Sequence, residues 1–219
     1  MVIDCGIDGM IGILNDRLIM WGFRGGITND DILQESLMRT EKCFSCSRNK
    51  RYCSISGEVQ YSIRHSVQTS ILLYYLSNTA YRYNNLLLAD SLYYLNKIMH
   101  GVDWFYEIEL PEVFGAEHPV GSVLGRAEYE NRLFVHQNTT IGSSMGKFPK
   151  IAENVVLCAN SCVLGKCQIG RCVIISAGTT IVNMDVPDNS IVFSDGTIRC
   201  FPQSEMRRKI AILSDFKDF

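Results

Sequence analysis

Aliphatic residues recur every six positions along the second half of this chain. The series runs through Ile151, Leu157, Val163, Ile169, Ile175 and Ile181. Four residues after each of them stands a second series: Val155, Ser161, Cys167, Val173, Thr179 and Asp185. A six-residue period is typical of a β-helix, in which each short strand buries one aliphatic side chain and three hexads complete one coil.

The same phase continues upstream through Val123, Tyr129, Val135 and Ile141, so that ten hexads share one register. Between Ile141 and Ile151 the step is ten residues rather than six. About four extra residues within 142–150 must therefore leave the coil as a loop, and loops carry function more often than sheet faces do. An ordinary sheet with regular aliphatic spacing is the alternative, but ten positions in phase argue against it.

Composition and charge exclude several classes of protein. With 219 residues, 47% of them hydrophobic, the chain can bury a core. A net charge of -2 gives no broad basic field for nucleic acid. No run approaches the roughly 18 apolar residues of a membrane span, and the first residues do not resemble a secretion signal. We expect a cytoplasmic protein.

The nine cysteines are an odd number for a disulfide framework, and free thiols are expected in the cytoplasm. Cys43 and Cys46, followed by Cys53, have the only spacing that resembles a metal site. A closed zinc site needs four ligands and His65 is distant in sequence, so no metal is expected, with zinc kept as an alternative.

The first part of the chain has a different pattern. Asp8-Gly9 and Asn15-Asp16 stand between short apolar runs in residues 2–24 and predict one or two β-hairpins. Helices are predicted over about 28–42, 66–81 and 85–100, and a short one over 205–213. The predicted class is α+β: a mostly helical domain over 1–105 with early hairpins, then a β-helix domain with a C-terminal tail over 106–219.

Two histidines stand one coil apart. His118 and His136 are separated by eighteen residues, which predicts that they stack on the same outer surface. An imidazole there titrates near neutral pH and can act as a general base. Two solvated surface histidines are the alternative that spacing alone favours.

The sequence around these histidines resembles that of known enzymes. Residues 117–127 read Glu-His-Pro-Val-Gly-Ser-Val-Leu-Gly-Arg-Ala and are similar to the Asp-His-Ala-Thr-Gly-Ile-Val-Val-Gly-Glu-Thr segment of serine O-acetyltransferases. Gln137-Asn138-Thr139-Thr140-Ile141-Gly142 resembles their Gln-Ser-Val-Thr-Leu-Gly, and Pro149-Lys150-Ile151 their Pro-Lys-Ile. The resemblance covers roughly residues 107–196. It is to the hexapeptide-repeat acyltransferases, closest to their serine O-acetyltransferase branch, and implies a left-handed parallel β-helix.

The resemblance also implies direct acetyl transfer from acetyl-CoA to a hydroxyl or amine. His118 matches the family's catalytic base, and Glu107 and Glu109 are both candidates for the carboxylate that supports it. Glu117 replaces the aspartate that helps to hold the acceptor, and His136 is expected nearby.

Acetyl-CoA in this family lies along a groove between neighbouring subunits. The corresponding residues are Ala159, Asn160, Gly165, Ala177 and Gly178, and Lys150 could meet the CoA phosphates. These small residues also suit tight corners, which is the alternative. A homotrimer is implied, and helical N-terminal parts can pair two trimers.

The departures from the family concern the acceptor. Phe148 replaces the loop histidine that contacts the amino acid, and an aromatic ring suits a sugar face. The chain ends in Asp218-Phe219 where serine acetyltransferases have the isoleucine that docks on their partner enzyme. A sugar hydroxyl in surface polysaccharide biosynthesis is therefore preferred. Serine is the second hypothesis, and a non-catalytic β-helix scaffold is the third.

Overall fold

A computed structural model describes residues 1–217 of the chain. These residues form two compact units, which divide between Glu109 and Leu110. The first unit is mainly helical and the second is mainly a β-solenoid, and each is described by itself.

The first unit is built around one buried helix. Its elements are β1 (Val2–Ile3), α1 (Gly6–Met20), α2 (Asp31–Ser45), β2 (Gln60–Tyr61), α3 (Ser66–Arg82) and α4 (Leu86–His100). Every residue of α3 from Gln68 to Ala80 is buried, because α2 and α4 both pack against it. The short strands β1 and β2 pair in parallel. Helices α2, α3 and α4 confirm the helices predicted over 28–42, 66–81 and 85–100.

The hairpins predicted in residues 2–24 are wrong, because helix α1 occupies most of that segment. Met10, Leu14 and Leu18 are fully buried and stand four residues apart, which is the spacing of one helix face. The Asn15 side chain does not make a turn. Its Nδ2 donates to the Ile27 carbonyl at 2.9 Å and its Oδ1 accepts from the Ile27 N–H at 2.8 Å, which fixes the loop after the helix.

The second unit is a parallel β-solenoid of about four turns with three faces. Face 1 contains β3 (Phe114–Ala116), β6 (Leu133–Val135), β9 (Val155–Leu157), β12 (Val173–Ile175), β14 (Ser190–Val192) and the antiparallel β15 (Ile198–Cys200). Face 2 contains β4 (Val123–Leu124), β7 (Thr140–Gly142), β10 (Cys162–Leu164) and β13 (Thr180–Val182). Face 3 contains β5 (Glu128–Tyr129), β8 (Lys150–Ile151) and β11 (Gln168–Ile169). The predicted fold class is confirmed.

The solenoid core follows the hexad pattern. One aliphatic side chain from each strand of a face stacks on its counterparts in the next coils, as Ile141, Val163 and Ile181 do on face 2. Small hydroxyl residues occupy the corners between faces 1 and 2. The Ser161 hydroxyl donates to the Cys158 carbonyl at 2.7 Å, and the Thr139 hydroxyl to the His136 carbonyl at 3.0 Å. At each of these corners a side-chain hydroxyl therefore hydrogen-bonds to a backbone carbonyl of the same corner.

The register of the first coil differs from the prediction. Ala116 pairs with Val135 and Leu124 pairs with Ile141, so Ala116 and Leu124 point inward while Glu117 and Val123 are exposed. The phase extrapolated upstream through Val123 is therefore wrong by one residue. Two irregular steps cause the shift: Leu124 and the next inward residue, Tyr129, are five residues apart rather than six, and the corner at 117–122 has two residues more than the equivalent corner at 136–139.

Helix α5 (Gln203–Ser214) lies against face 1 and confirms the predicted C-terminal helix. Met206, Ile210 and Ala211 are buried, and Phe216 contacts Phe134 edge to face with ring centroids 5.7 Å apart. Asp218 and Phe219, which bear on the partner-docking expectation, lie outside the described residues. Within residues 1–217 no helix is long and apolar enough to cross a membrane.

The hexad core can be tested on face 3, where Ile169 is 2% exposed and its neighbour Gln168 is exposed. We expect Ile169→Ala to lower the free energy of unfolding by about 2–5 kcal/mol, because it leaves a cavity in the stack. Gln168→Ala, the matched control in the same strand, should change it by less than about 0.5 kcal/mol. Chemical denaturation followed by circular dichroism measures both, and equal effects would contradict the inward register.

A second prediction concerns His100, the last residue of α4. Burial lowers the pKa of His100 to about 4, with a smaller contribution from the charge of Arg17. Because the folded-state pKa lies below the unfolded one, the native state favours the neutral ring. The associated stability is present above about pH 6.5 and is lost as the pH falls towards 4.

We expect the free energy of unfolding of the wild type to fall by at most about 3 kcal/mol more than that of His100→Gln between pH 7 and pH 4. Urea denaturation at a series of pH values measures the difference. Parallel pH curves for the two proteins would show that the ring is not buried in neutral form.

Candidate functional site

The candidate catalytic residues lie where the chain turns from face 1 to face 2. We call this edge the histidine corner and define it as residues 117–122, 136–139, 158–161 and 176–179. The first coil contributes Glu117 and His118, and the second contributes His136. The third and fourth coils contribute only small or uncharged residues. No bulky or charged side chain therefore covers the corner beyond the histidines.

His118 lies in the enlarged part of this corner. Its φ of 49° is in the left-handed region, which a residue with a side chain rarely adopts. The turn is held by the Val120 N–H, which donates to the His118 carbonyl at 2.8 Å, and by the Ser122 N–H, which donates to the Pro119 carbonyl at 2.9 Å. Pro119 is buried while His118 is exposed, so the corner presents the imidazole to solvent. Strained backbone of this kind is often found at functional sites.

The predicted stacking of His118 on His136 is wrong. Because Ala116 pairs with Val135, the residue of the first coil that stands beside His136 is Glu117. The histidines lie at the same corner, offset by one residue. Spacing alone missed this, because it assumed a uniform coil.

Glu117 and His136 face each other across the two coils. Glu117 Oε2 is 3.8 Å from His136 Nδ1, with the glutamate side chain 56% exposed and the histidine side chain 16% exposed. Burial lowers the pKa of His136, the charge of Glu117 opposes that shift, and His118 adds to it, so the pKa lies below its ordinary value. This shift favours the neutral form of the His136 imidazole.

Glu107 and Glu109, the two candidate supports of His118, belong to the first unit, and both are exposed. The Glu109 carboxylate accepts hydrogen bonds from Arg82, whose Nε lies 3.3 Å from Oε1, and from Asn78. Partial burial raises the pKa of Glu109, but the hydrogen bonds and charge of Arg82 outweigh it and hold the pKa below its ordinary value. The choice between the two glutamates stays a prediction.

The predicted loop leaves the solenoid at the corner between faces 2 and 3, between β7 and β8. Ser144 and Lys147 exchange backbone hydrogen bonds of 3.1 and 3.0 Å, and Met145 and Gly146 between them both have positive φ, as in a tight hairpin turn. Phe148 is 45% exposed. Strand β7 lies between this loop and the histidine corner along the second coil.

The residues predicted to line the acetyl-CoA groove fall in two places. Ala159, Asn160, Ala177 and Gly178 are on the surface of the histidine corner in successive coils, where Asn160 Oδ1 accepts from Asn138 Nδ2 at 3.1 Å. Gly165 is buried at the loop corner. Lys150 is on face 3, where its Nζ lies 2.8 Å from Glu128 Oε1. Positive φ at Asn160 and Gly178 shows that these residues also serve the turn.

The cysteines are free thiols in the described residues. Cys43 and Cys53 are buried and Cys46 is half-buried. Within residues 1–217 no group of three histidine, cysteine, aspartate or glutamate side chains is arranged to hold a metal ion.

The outward surfaces of the faces differ in charge. On face 2 the outward residues are uncharged: Val123, Thr140, Gly142, Cys162, Leu164, Thr180 and Val182. Val123 and Val182 are 37% and 46% exposed. Face 3 has Glu128, Lys150 and Gln168 in the same places. Sequence reasoning followed only the inward series and did not identify face 2, although the alternating residues of the same strands carry the signal.

A parallel solenoid of hexads with a histidine corner defines the class of protein: it is typical of the hexapeptide-repeat acyltransferases with a left-handed β-helix. No family model matches the chain. The chain is similar in sequence to serine acetyltransferases. It is 32% identical over 106 residues to the serine acetyltransferase of Synechococcus elongatus, an alignment that covers 46% of this chain and 43% of that protein. It spans less than half the length of the curated relatives that it matches.

Solved structures agree on the fold. The serine acetyltransferase of Neisseria gonorrhoeae in complex with serine superposes with a TM-score of 0.62 and 23% identity, over 84% of this chain and 81% of that one. A serine acetyltransferase in complex with CoA gives a TM-score of 0.61 and 21% identity, over 75% of this chain and 70% of that one. At these identities the likeness establishes the fold.

Proposed function

We propose that this protein is an acetyl-CoA-dependent O-acetyltransferase whose acceptor is serine. The observation that carries the proposal is the similarity to serine acetyltransferases in both sequence and fold, in a chain that exposes His118 and Glu117 together at one corner. The Neisseria enzyme was solved with serine and another serine acetyltransferase with CoA, and we extend both ligands to this chain.

The chemistry assigned to the corner is direct transfer. The His118 imidazole accepts the proton of the serine hydroxyl as the oxygen bonds to the acetyl carbon. A backbone N–H stabilises the oxyanion, the carbon–sulfur bond then breaks, and the CoA sulfur takes the proton back from the imidazolium. No covalent enzyme intermediate is required. Glu117, adjacent in sequence, accepts hydrogen bonds from the donor groups of the acceptor.

The histidine corner suits a long co-substrate. Ala159, Asn160, Ala177 and Gly178 continue the corner past the histidines without a bulky side chain, and a Cβ at Gly178 would meet no atom within 4 Å. A ligand that runs along the coils can therefore approach the backbone there. Gly165 and Lys150 lie elsewhere in the same chain, so a role for them in binding CoA requires a second subunit.

A homotrimer is part of this proposal, and the outward surface of face 2 supports an interface between copies. The uncharged outward residues of face 2 suit burial against another copy, since apolar patches mark interaction sites. Two copies that meet along this face can place the loop of one beside the histidine corner of the other. Phe148 and His118 would then share one site, in agreement with the intersubunit groove that the family resemblance implies.

The comparisons favour serine over the sugar that Phe148 suggested. That phenylalanine is half-exposed and stacks on no other ring among residues 1–217, so it is available to an acceptor of either kind. The sugar hypothesis therefore serves as the matched alternative in the acceptor assay.

We expect His118→Ala to lower kcat for CoA release by about 100-fold or more, since general-base catalysis contributes factors of 10²–10⁴. His65→Asn is the histidine control: His65 caps α3 through its side chain, and asparagine is also a good N-cap. Full activity of the His118→Ala protein would contradict the assignment of the base.

The acceptor is tested by measuring CoA release with L-serine and with a panel of nucleotide sugars. We expect release with L-serine well above the rate without acceptor, and rates near background with the sugars. The reverse result would support the sugar hypothesis. No acetyl-CoA binding by calorimetry would support a non-catalytic scaffold.

A further inference from the structure

The two nitrogens of the His136 ring have different surroundings. Nδ1 faces the Glu117 carboxylate at 3.8 Å, whereas Nε2 is buried and has no hydrogen-bond partner among residues 1–217. The edge-to-face contact with Phe134, with ring centroids 5.4 Å apart, restricts the ring. A neutral imidazole carries one N–H. Placing it on Nε2 would bury an unpaired donor, whereas placing it on Nδ1 directs it at a carboxylate.

We propose that His136 is a positioning residue for Glu117: its Nδ1–H donates to the Glu117 carboxylate and holds it beside His118, where it accepts hydrogen bonds from the acceptor. The proposal rests on the proposed function, because Glu117 is taken to contact the acceptor. It assigns to His136 a role through Glu117, since the buried face of the ring leaves little of it for direct contact with substrate.

The present separation is longer than a hydrogen bond, which spans about 2.7–3.2 Å between heavy atoms. The glutamate must supply the movement. Its side chain is 56% exposed, whereas the histidine side chain is 16% exposed and packs against Phe134. An acceptor that covers the corner excludes water, and hydrogen bonds to charged groups strengthen when water is excluded.

The chemistry of the partner determines what Glu117 can recognise. A lysine or arginine at position 136 would neutralise the carboxylate, whereas a neutral imidazole orients it and leaves its negative charge in place. The pair therefore favours an acceptor with an ammonium group next to its hydroxyl, such as a small amino alcohol or amino acid. In this proposal Glu117 in the first coil and His136 in the second are sufficient to select the class of acceptor.

The proposal is tested by steady-state kinetics with acetyl-CoA and L-serine on four variants. His136→Leu removes the donor, and His136→Asn keeps an N–H near the position of Nδ1. Glu117→Ala and the double variant complete a double-mutant cycle. We expect His136→Leu to raise the KM for serine about tenfold, while the KM for acetyl-CoA stays within about twofold of the wild type.

His136→Asn should restore most of the serine affinity. In the Glu117→Ala background, His136→Leu should have little further effect. An unchanged KM for serine, an equal loss in both backgrounds, or an asparagine variant as poor as the leucine variant would overturn the proposal.

A second measurement does not depend on activity. ¹⁵N NMR of His136 should show the Nδ1–H tautomer in the wild type and a changed tautomer population in Glu117→Ala. An Nε2–H tautomer in the wild type would overturn the positioning role. A wild type that is inactive with serine but shows the Nδ1–H tautomer would contradict the proposed function and leave the contact between His136 and Glu117 established.

Discussion

Burial of one aliphatic side chain per strand, repeated on three faces, is the constraint on which the second unit depends. Ile141, Val163 and Ile181 stack directly because the backbone ladders hold successive coils in register. Each coil satisfies its neighbour's N–H and C=O groups, so the stack and the ladder stabilise each other. The position of an outward side chain is therefore set by the number of residues that separate it from the preceding buried residue of the stack. His118, Glu117 and His136 owe their positions to this rule.

The rule explains which parts of the site could be predicted from the sequence. Where the hexads are uniform, from Ile151 to Ile181, the sequence predicts both the coil and the direction of each side chain, since period and geometry coincide. In the first coil the same reasoning was wrong, because the step from Leu124 to Tyr129 is one residue short and the corner at 117–122 is two residues longer than its counterpart. A periodic pattern contains no signal of where such changes occur. Leu124 and Val123 are both aliphatic, so composition alone cannot decide which one is buried.

The helix α1 was missed for a related reason. Turn-forming residues such as Asn15 can serve tertiary hydrogen bonds, and those depend on Ile27, which is remote in sequence.

The site combines strain and exposure on a rigid support. His118 has an unusual backbone conformation and is exposed, yet Ser122 in the same corner and Val135 in the next coil are fully buried. The cost of the strained turn, of order 1–3 kcal/mol, is small beside the burial of a whole coil. A rigid platform also keeps Glu117 and His136 within reach of each other without a flexible segment. Phe148 lies outside this corner, so in the proposed site it would come from another subunit.

The loop between β7 and β8 leaves the pairing of its flanking strands intact. Glu128 and Tyr129 remain paired with Lys150 and Ile151 across it, and Val135 remains paired with Leu157. An insertion at this corner therefore costs only the entropy of closing a slightly longer loop, which grows slowly with length. Changes in the length and composition of this loop therefore have little effect on the stability of the solenoid. The loop can therefore change in length or composition while the coil that presents His118 keeps its fold.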